Sequence, residues 1–346
     1  MLKWLPLVLA ALLPLQPAYA ENDMLIIAHR GASGERPEHT LAAYERAIDQ
    51  GADYVEPDLV VTRDGVLIAR HENEIGGTTD VATRPEFADR RRSKTIDGEL
   101  VSGWFAEDFT YAELRMLRTR ERLPQLRSAN ARFDGLYPVP TFAEIVALVR
   151  AKEAETGRRI GIYPELKHPT FLLQEAGIDV VNLLVLELKK ASYTKADDPV
   201  FLQCFEVEPL RRLNQLTPLR LVQLVAASGG PADEPGMNYA GMVMPAGLKA
   251  VARYADAVGA DLRLVLASDG TPTALVADAH AAGLKVHGWT LRKENLFLPP
   301  VLRSAGGEGA AGDYAGFWRQ LAASGLDGVF TDDPALAVAA RRDQAR

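Results

Sequence analysis

Between Ala28 and Glu72 the chain carries a set of residues suited to metal-assisted acid–base chemistry on an anion. His29-Arg30-Gly31 closes an apolar run over residues 24–28. Glu56-Pro57-Asp58 sits in a second β-like run, and His71 follows a short hairpin-like segment over 62–70. Glu56 and Asp58 are two apart, so on a strand both side chains point to one face. Carboxylates held that close repel unless positive charge lies between them. A hard, oxygen-seeking divalent cation, Ca²⁺ or Mg²⁺, is the natural partner. Glu165, ending a third apolar run in Tyr163-Pro164-Glu165-Leu166-Lys167, is the candidate third ligand. The competing reading is that Glu56 and Asp58 only pair with Arg30 and Lys167.

An unperturbed imidazole titrates near neutrality, which suits His29 and His71 to proton transfer. His39, His168, His280 and His287 lack comparable company and read as structural or peripheral. Arg30 offers a planar fork of donors and Lys167 a point charge, and together they can hold two phosphate oxygens. Trp289 reads equally well as core filler or as an apolar wall for a substrate.

These residues need a frame that brings strand ends together. Apolar runs at 24–28, 54–60, 160–166, 200–205, 220–224, 257–258, 285–290 and 328–331 alternate with helical spacing at 41–49, 141–154, 172–192, 209–216, 248–254, 272–282 and 314–323. A last helix at 334–342 begins behind an acidic pair and a proline, good N-terminal chemistry. Eight strand–helix units predict an α/β fold, a closed (β/α)₈ TIM barrel, whose sites lie at the C-terminal mouth. An open doubly wound sheet is the alternative, but Gly31-Ala32-Ser33-Gly34 is too short for either nucleotide-binding fingerprint. One insertion, residues 76–137, follows the second strand and breaks the rhythm. It carries the basic triplet Arg90-Arg91-Arg92, read as a solvated face. Residues 297–312 form a second, Gly-rich excursion.

Residues 1–20 read as a secretory signal peptide: Lys3, an apolar stretch, then Ala18-Tyr19-Ala20 as a small-x-small cleavage site. Cleavage near Ala20 would leave residues 21–346 as a single barrel domain, exported to the periplasm or secreted. The formal charge is −7, and loss of Lys3 makes it −8. Such an acidic chain lacks the electrostatic footprint of a nucleic-acid binder and gains nothing from an anionic membrane surface. Stable membrane association is not expected, and the sequence is silent on oligomeric state. The lone cysteine, Cys204, allows no internal disulfide.

His29-Arg30-Gly31, Pro37-Glu38-His39-Thr40, Glu56-Pro57-Asp58, His71, Pro164-Glu165-Leu166-Lys167 and the run from Gly328 to Pro334 together resemble the glycerophosphodiester phosphodiesterase family. The likeness is greatest to its secreted bacterial branch, whose insertion is similar to residues 76–137. The resemblance implies a (β/α)₈ barrel that hydrolyses glycerophosphodiesters to sn-glycerol 3-phosphate and an alcohol. It implies base and acid roles for His29 and His71. It assigns a divalent cation, usually Ca²⁺, to Glu56, Asp58 and Glu165, and phosphate contacts to Arg30 and Lys167. It also implies the substrate's own glycerol 2-hydroxyl as nucleophile. Two departures stand out: His39 where the family commonly has Asn, and Gln203-Cys204-Phe205 where it often has a Gln-Ser-Phe-like run. Neither is expected to touch the metal or proton-transfer groups. Two other readings remain. A barrel phospholipase acting on intact lipids needs an apolar rim, for which Trp104, Phe105 and Phe109 are candidates. A non-catalytic binding protein has no need of two proton-transfer histidines.

Overall fold

Pro57 and Pro164 interrupt two of the barrel strands, and the closure of the sheet is visible only when the broken halves are joined. In the computed structural model, which describes residues 24–345, the first stave is Leu25–His29. The second is Tyr54–Glu56 followed by Asp58–Val61, and the third is Gly161–Ile162 followed by Glu165–Leu166. Proline has no N–H to give to a ladder, which accounts for both breaks. Phe201–Cys204, Arg220–Val225, Ala257–Asp261, Lys285–Leu291 and Gly328–Thr331 follow. Each stave pairs in parallel with the next, and the eighth returns to the first, Val329 opposite Ile26. The predicted TIM barrel is therefore the fold. The proposed signal segment lies outside the described residues.

The strands sit where the apolar runs place them. The sixth is longer than residues 257–258, because Gly259 and Ala260 carry little apolar signal. Leu224 packs against Gly259, where a Cβ would lie 2.5 Å from its methyl. The helix expected over 172–192 is two, Pro169–Glu175 and Val180–Lys190. Gly177, at φ +67°, breaks the run, and the Asp179 side chain accepts from the Asn182 N–H to start the second helix. Inside the barrel, Ile27, Tyr54, Tyr163, Phe201, Val222 and Phe330 stack into a filled interior, while a larger apolar layer lies between sheet and helices.

The insertion after the second stave has a small core of its own. Ile75, Val81, Phe87, Phe109, Leu114 and Leu117 pack on Val60, Ile68 and Val139 of the barrel side. Its hairpin, Arg92–Ile96 with Glu99–Gly103, is largely polar. Phe105 and Phe109 are fully buried and the Trp104 indole N–H donates to the Phe87 carbonyl, so these aromatics form no exposed rim for a lipid. Arg90 pairs with Glu113, Arg92 with Asp108, and Arg91 lies over Trp104. The basic triplet is a solvated, paired face, as expected.

Candidate active site

The first stave delivers His29 to the mouth, and the turn after it is built around Gly31. That glycine sits at φ +83°, and a Cβ there would lie 2.6 Å from the Ala43 carbonyl carbon. The chain can thus fold back under helix Leu41–Asp49, whose start is capped by Thr40, its hydroxyl accepting from the Ala43 N–H. Arg30 and His39 both take left-handed backbone conformations in this turn. These constraints explain the spacing from His29 to Thr40.

Glu56, Asp58 and Glu165 converge as predicted. They are buried, and each offers an oxygen within 4.8 Å of the others. The two basic residues enter the same cluster. Arg30 Nε lies 3.2 Å from Asp58 Oδ2, and Lys167 Nζ lies 2.7 Å from Glu165 Oε1 and 3.6 Å from Asp58 Oδ1. Burial, then Asp58 and Glu165, push the Glu56 carboxyl well above its ordinary range. Burial raises Glu165 to about 8, with Lys167 opposing and Asp58 adding. Asp58 goes the other way: burial opposes ionisation, but Lys167, His39 and Arg30 outweigh it.

Fully deprotonated, the three carboxylates would outnumber the two cations by one negative charge, which a bound cation would offset. Gln203 adds a buried side-chain oxygen with no hydrogen-bond partner, while its amide N–H donates to Glu56 Oε1 at 3.1 Å. A buried all-oxygen donor set beside an orphaned oxygen fits a hard divalent cation.

Two residues expected to stay clear of this cluster do not. His39 Nε2 lies 2.9 Å from Asp58 Oδ2, and Gln203 reaches Glu56. Sequence spacing hid both, because His39 arrives by the tight turn and Gln203 from the fourth stave. The ionised Asp58 can only accept, so His39 carries its proton on Nε2 and takes the Tyr44 hydroxyl proton at Nδ1, 2.7 Å away. Burial lowers the His39 pKa to about 4, consistent with that neutral tautomer.

His29 and His71 both face the cavity, and each is backed by a carboxylate at 2.6 Å: Asp332 for His29 Nδ1, Glu72 for His71 Nδ1. Each carboxylate accepts the Nδ1 proton, leaving Nε2 bare. Burial followed by the Arg30 charge lowers His29 to about 4, with Asp332 opposing. His71 is driven well below its usual value by desolvation, then by Arg30 and Lys167. The two differ in access: the His71 side chain is 28% exposed and that of His29 11%. Glu72, Glu38, Arg122 and Arg127 had no predicted role, and Asp332 only one at the start of the last helix. Asp332 and Glu38 lie in the motifs that carry the family resemblance, which was the available signal.

Trp289 lines the same cavity, its indole N–H donating to the Gly259 carbonyl and its ring edge-on to Phe205, 5.7 Å between centroids. The cavity has a volume of about 1170 Å³. Its lining combines the charged cluster with Phe205, Leu266, Phe297 and Pro299. Cys204 is buried outside it, with burial raising its thiol pKa. His280 pairs with Asp327 and His287 with Tyr163, both away from the cavity, whereas His168, paired with Asp97, lies on the cavity lining beside Lys167.

A parallel β/α barrel that gathers carboxylates, cations and two histidines at its C-terminal mouth has the layout of an enzyme active site. The sequence matches the glycerophosphoryl diester phosphodiesterase family over residues 29–336. It is 34% identical to an Arabidopsis thaliana glycerophosphodiester phosphodiesterase, covering 92% of this chain and 85% of that one. It is 33% identical to the glycerophosphodiester phosphodiesterase of Haemophilus influenzae, covering 91% and 88%. A solved Oleispira antarctica phosphodiesterase, in complex with the product sn-glycerol-3-phosphate, superposes with a TM-score of 0.60 at 21% identity, covering 92% and 96%. The chain belongs to the glycerophosphoryl diester phosphodiesterase family.

Proposed function

We propose that this chain hydrolyses glycerophosphodiesters to sn-glycerol 3-phosphate and an alcohol, with one divalent cation, Ca²⁺, held by Glu56, Asp58 and Glu165. The observation that carries the reading is the placement of two carboxylate-backed histidines around one buried acidic cluster. Arg30 and Lys167 lie within that cluster, where a phosphodiester would lie. The bound cation would supply positive charge to the phosphate oxygens as charge builds on them. Arg30 and Lys167 orient the phosphate, and Trp289 walls the carbon skeleton.

His29 takes the proton of the substrate's glycerol 2-hydroxyl at Nε2 as that oxygen bonds to phosphorus. His71 gives a proton to the departing alcohol as its bond to phosphorus breaks. The greater exposure of His71 suits the residue that meets the leaving group. In the free site burial, with the Arg30 and Lys167 charges adding to it, holds His71 neutral. A phosphodiester anion lying against Arg30 and Lys167 offsets them and favours the acid form. Water then opens the resulting cyclic phosphate, with the two roles reversed.

The test is release of sn-glycerol 3-phosphate from glycerophosphocholine by purified protein, with Ca²⁺, with chelator, and after Ca²⁺ is restored. Each histidine changed to Ala should slow turnover about 10² to 10⁴-fold. A nitrophenyl ester that keeps the 2-hydroxyl should partly rescue His71→Ala but not His29→Ala. The reverse pattern would exchange the roles. Ligand binding without release would favour the non-catalytic reading. We further propose export, on the pattern of residues 1–20, with the mature chain starting near Glu21; N-terminal sequencing from the native compartment checks it.

A further inference from the structure

We propose that the insertion works as part of the catalytic apparatus through two positioning residues, Arg122 and Arg127. Each fixes the carboxylate that orients one of the two proton-transfer histidines. The proposal rests on the roles given to His29 and His71 above.

The two contacts are parallel in design. Asp332 turns Oδ1 to His29 and Oδ2 to Arg127 Nη2, 2.6 Å away, and to Arg292 Nε at 2.8 Å. Glu72 turns Oε1 to His71, and Arg122 Nη1 donates to both Glu72 oxygens at 3.0 and 3.1 Å. Each arginine is itself fixed on a second acid. Arg127 Nε donates to Glu294 at 2.7 Å, and its Nη1 to the Ser33 carbonyl at 3.1 Å. Arg122 grips Glu38 with Nη2 and Nε at 2.7 and 2.9 Å, and Glu38 in turn accepts from Arg30. A planar fork of fixed donors can hold two carboxylates at defined angles, which a lysine cannot.

The backbone carrying them is equally constrained. Between the two arginines, Leu126 and Arg127 N–H both bond the Leu123 carbonyl. Glu121 accepts from the Leu123 N–H, and Asn130 ties Glu121 to the Ser33 carbonyl beside the first stave. Neither arginine lines the cavity. Their route to the chemistry is through the carboxylates, and a small error in the aim of Nε2 is costly because proton transfer depends on hydrogen-bond geometry.

Double-mutant cycles separate this from a purely structural role. Arg127→Met and Arg122→Met should each lower kcat roughly 10- to 100-fold. Arg127→Met should leave KM unchanged. Arg122→Met should also raise KM, because Glu38 then holds Arg30 less well. Combined with His29→Ala, Arg127→Met should cost almost nothing more; combined with His71→Ala, its effect should multiply. Arg122→Met should show the opposite pairing. Arg127→Lys and Arg122→Lys, which keep the charge and lose the fork, should stay folded by circular dichroism and still lose turnover.

A readout independent of turnover is the low-field imidazole proton resonance of each histidine in the unliganded protein. Arg127 variants should shift the His29 signal and Arg122 variants the His71 signal. If wild-type protein releases no sn-glycerol 3-phosphate, the functional reading fails while these resonances still test the positioning. Multiplicative effects in all four pairings, or resonances unmoved in all the arginine variants, would overturn the proposal.

Discussion

His39 Nε2 donates to Asp58 Oδ2 across 2.9 Å, and Tyr44 fixes the other ring nitrogen from behind. A proposed metal-ligand carboxylate is thus aimed by a buried ring that lies outside the cavity lining. Outer partners of this kind typically carry about 10- to 100-fold in metal affinity. His39→Ala should weaken divalent-cation binding by that factor in calorimetry. His39→Asn keeps an amide donor, as the family commonly does at this position, and should recover part of the loss. Equal affinity in wild type and His39→Ala would remove the role.

Metal binding should expel a proton. In the metal-free cluster burial raises Glu165 to about 8, so at neutral pH its carboxyl is mostly protonated, and a ligand must be deprotonated. The apparent Ca²⁺ affinity should therefore climb as pH rises from 6 towards 8. Calorimetry in buffers of different ionisation enthalpy should detect the released proton. Affinity that does not change over that window would count against Glu165 as a ligand.

His287 should make the fold acid-sensitive. It is 1% exposed, bonded to the Tyr163 hydroxyl at 2.7 Å, and burial lowers its pKa to about 4 from 6.5. As pH falls below 6.5 the unfolded chain takes up a proton that the folded chain refuses. Stability is lost from pH 6.5 down to about 4, up to about 3 kcal/mol for this group. His287→Gln should flatten that part of the profile in urea unfolding at pH 7 and pH 5. An unchanged slope would show that other groups set it.

Gly31→Ala should be costly. The new methyl would meet the Ala43 backbone at 2.6 Å in a conformation of φ +83°. Strain of that kind costs about 1–3 kcal/mol, and the clash adds to it. Chemical denaturation should show a loss of at least about 2 kcal/mol. Turnover should fall further than stability, because His29 and Arg30 flank the turn.

The frame was legible because each stave is a short apolar run bounded by turn residues, and periodicity reads such runs directly. Glu56, Asp58, Glu165, Arg30 and Lys167 were legible because they stand at strand ends, and a closed barrel brings strand ends together. His39 was not, because its reach to Asp58 depends on a left-handed turn that spacing does not encode. The acidic pair before Pro334 suggests helix-start chemistry for a helix over 334–342; the helix runs Pro334–Gln344, and the Asp332 carboxylate turns instead to His29. The insertion was the least readable part. Its core and its salt links depend on contacts between residues tens of positions apart, with no period to announce them.

The bond between His29 and Asp332 spans 303 positions, nearly the whole described chain. The acidic cluster, by contrast, is complete once residue 165 has been made. A polypeptide cut short before its eighth stave therefore carries every proposed metal ligand but lacks the group that aims His29. The strand that closes the cylinder is thus also the one that brings in the partner of the proposed base, so barrel closure and the aiming of that ring are a single event.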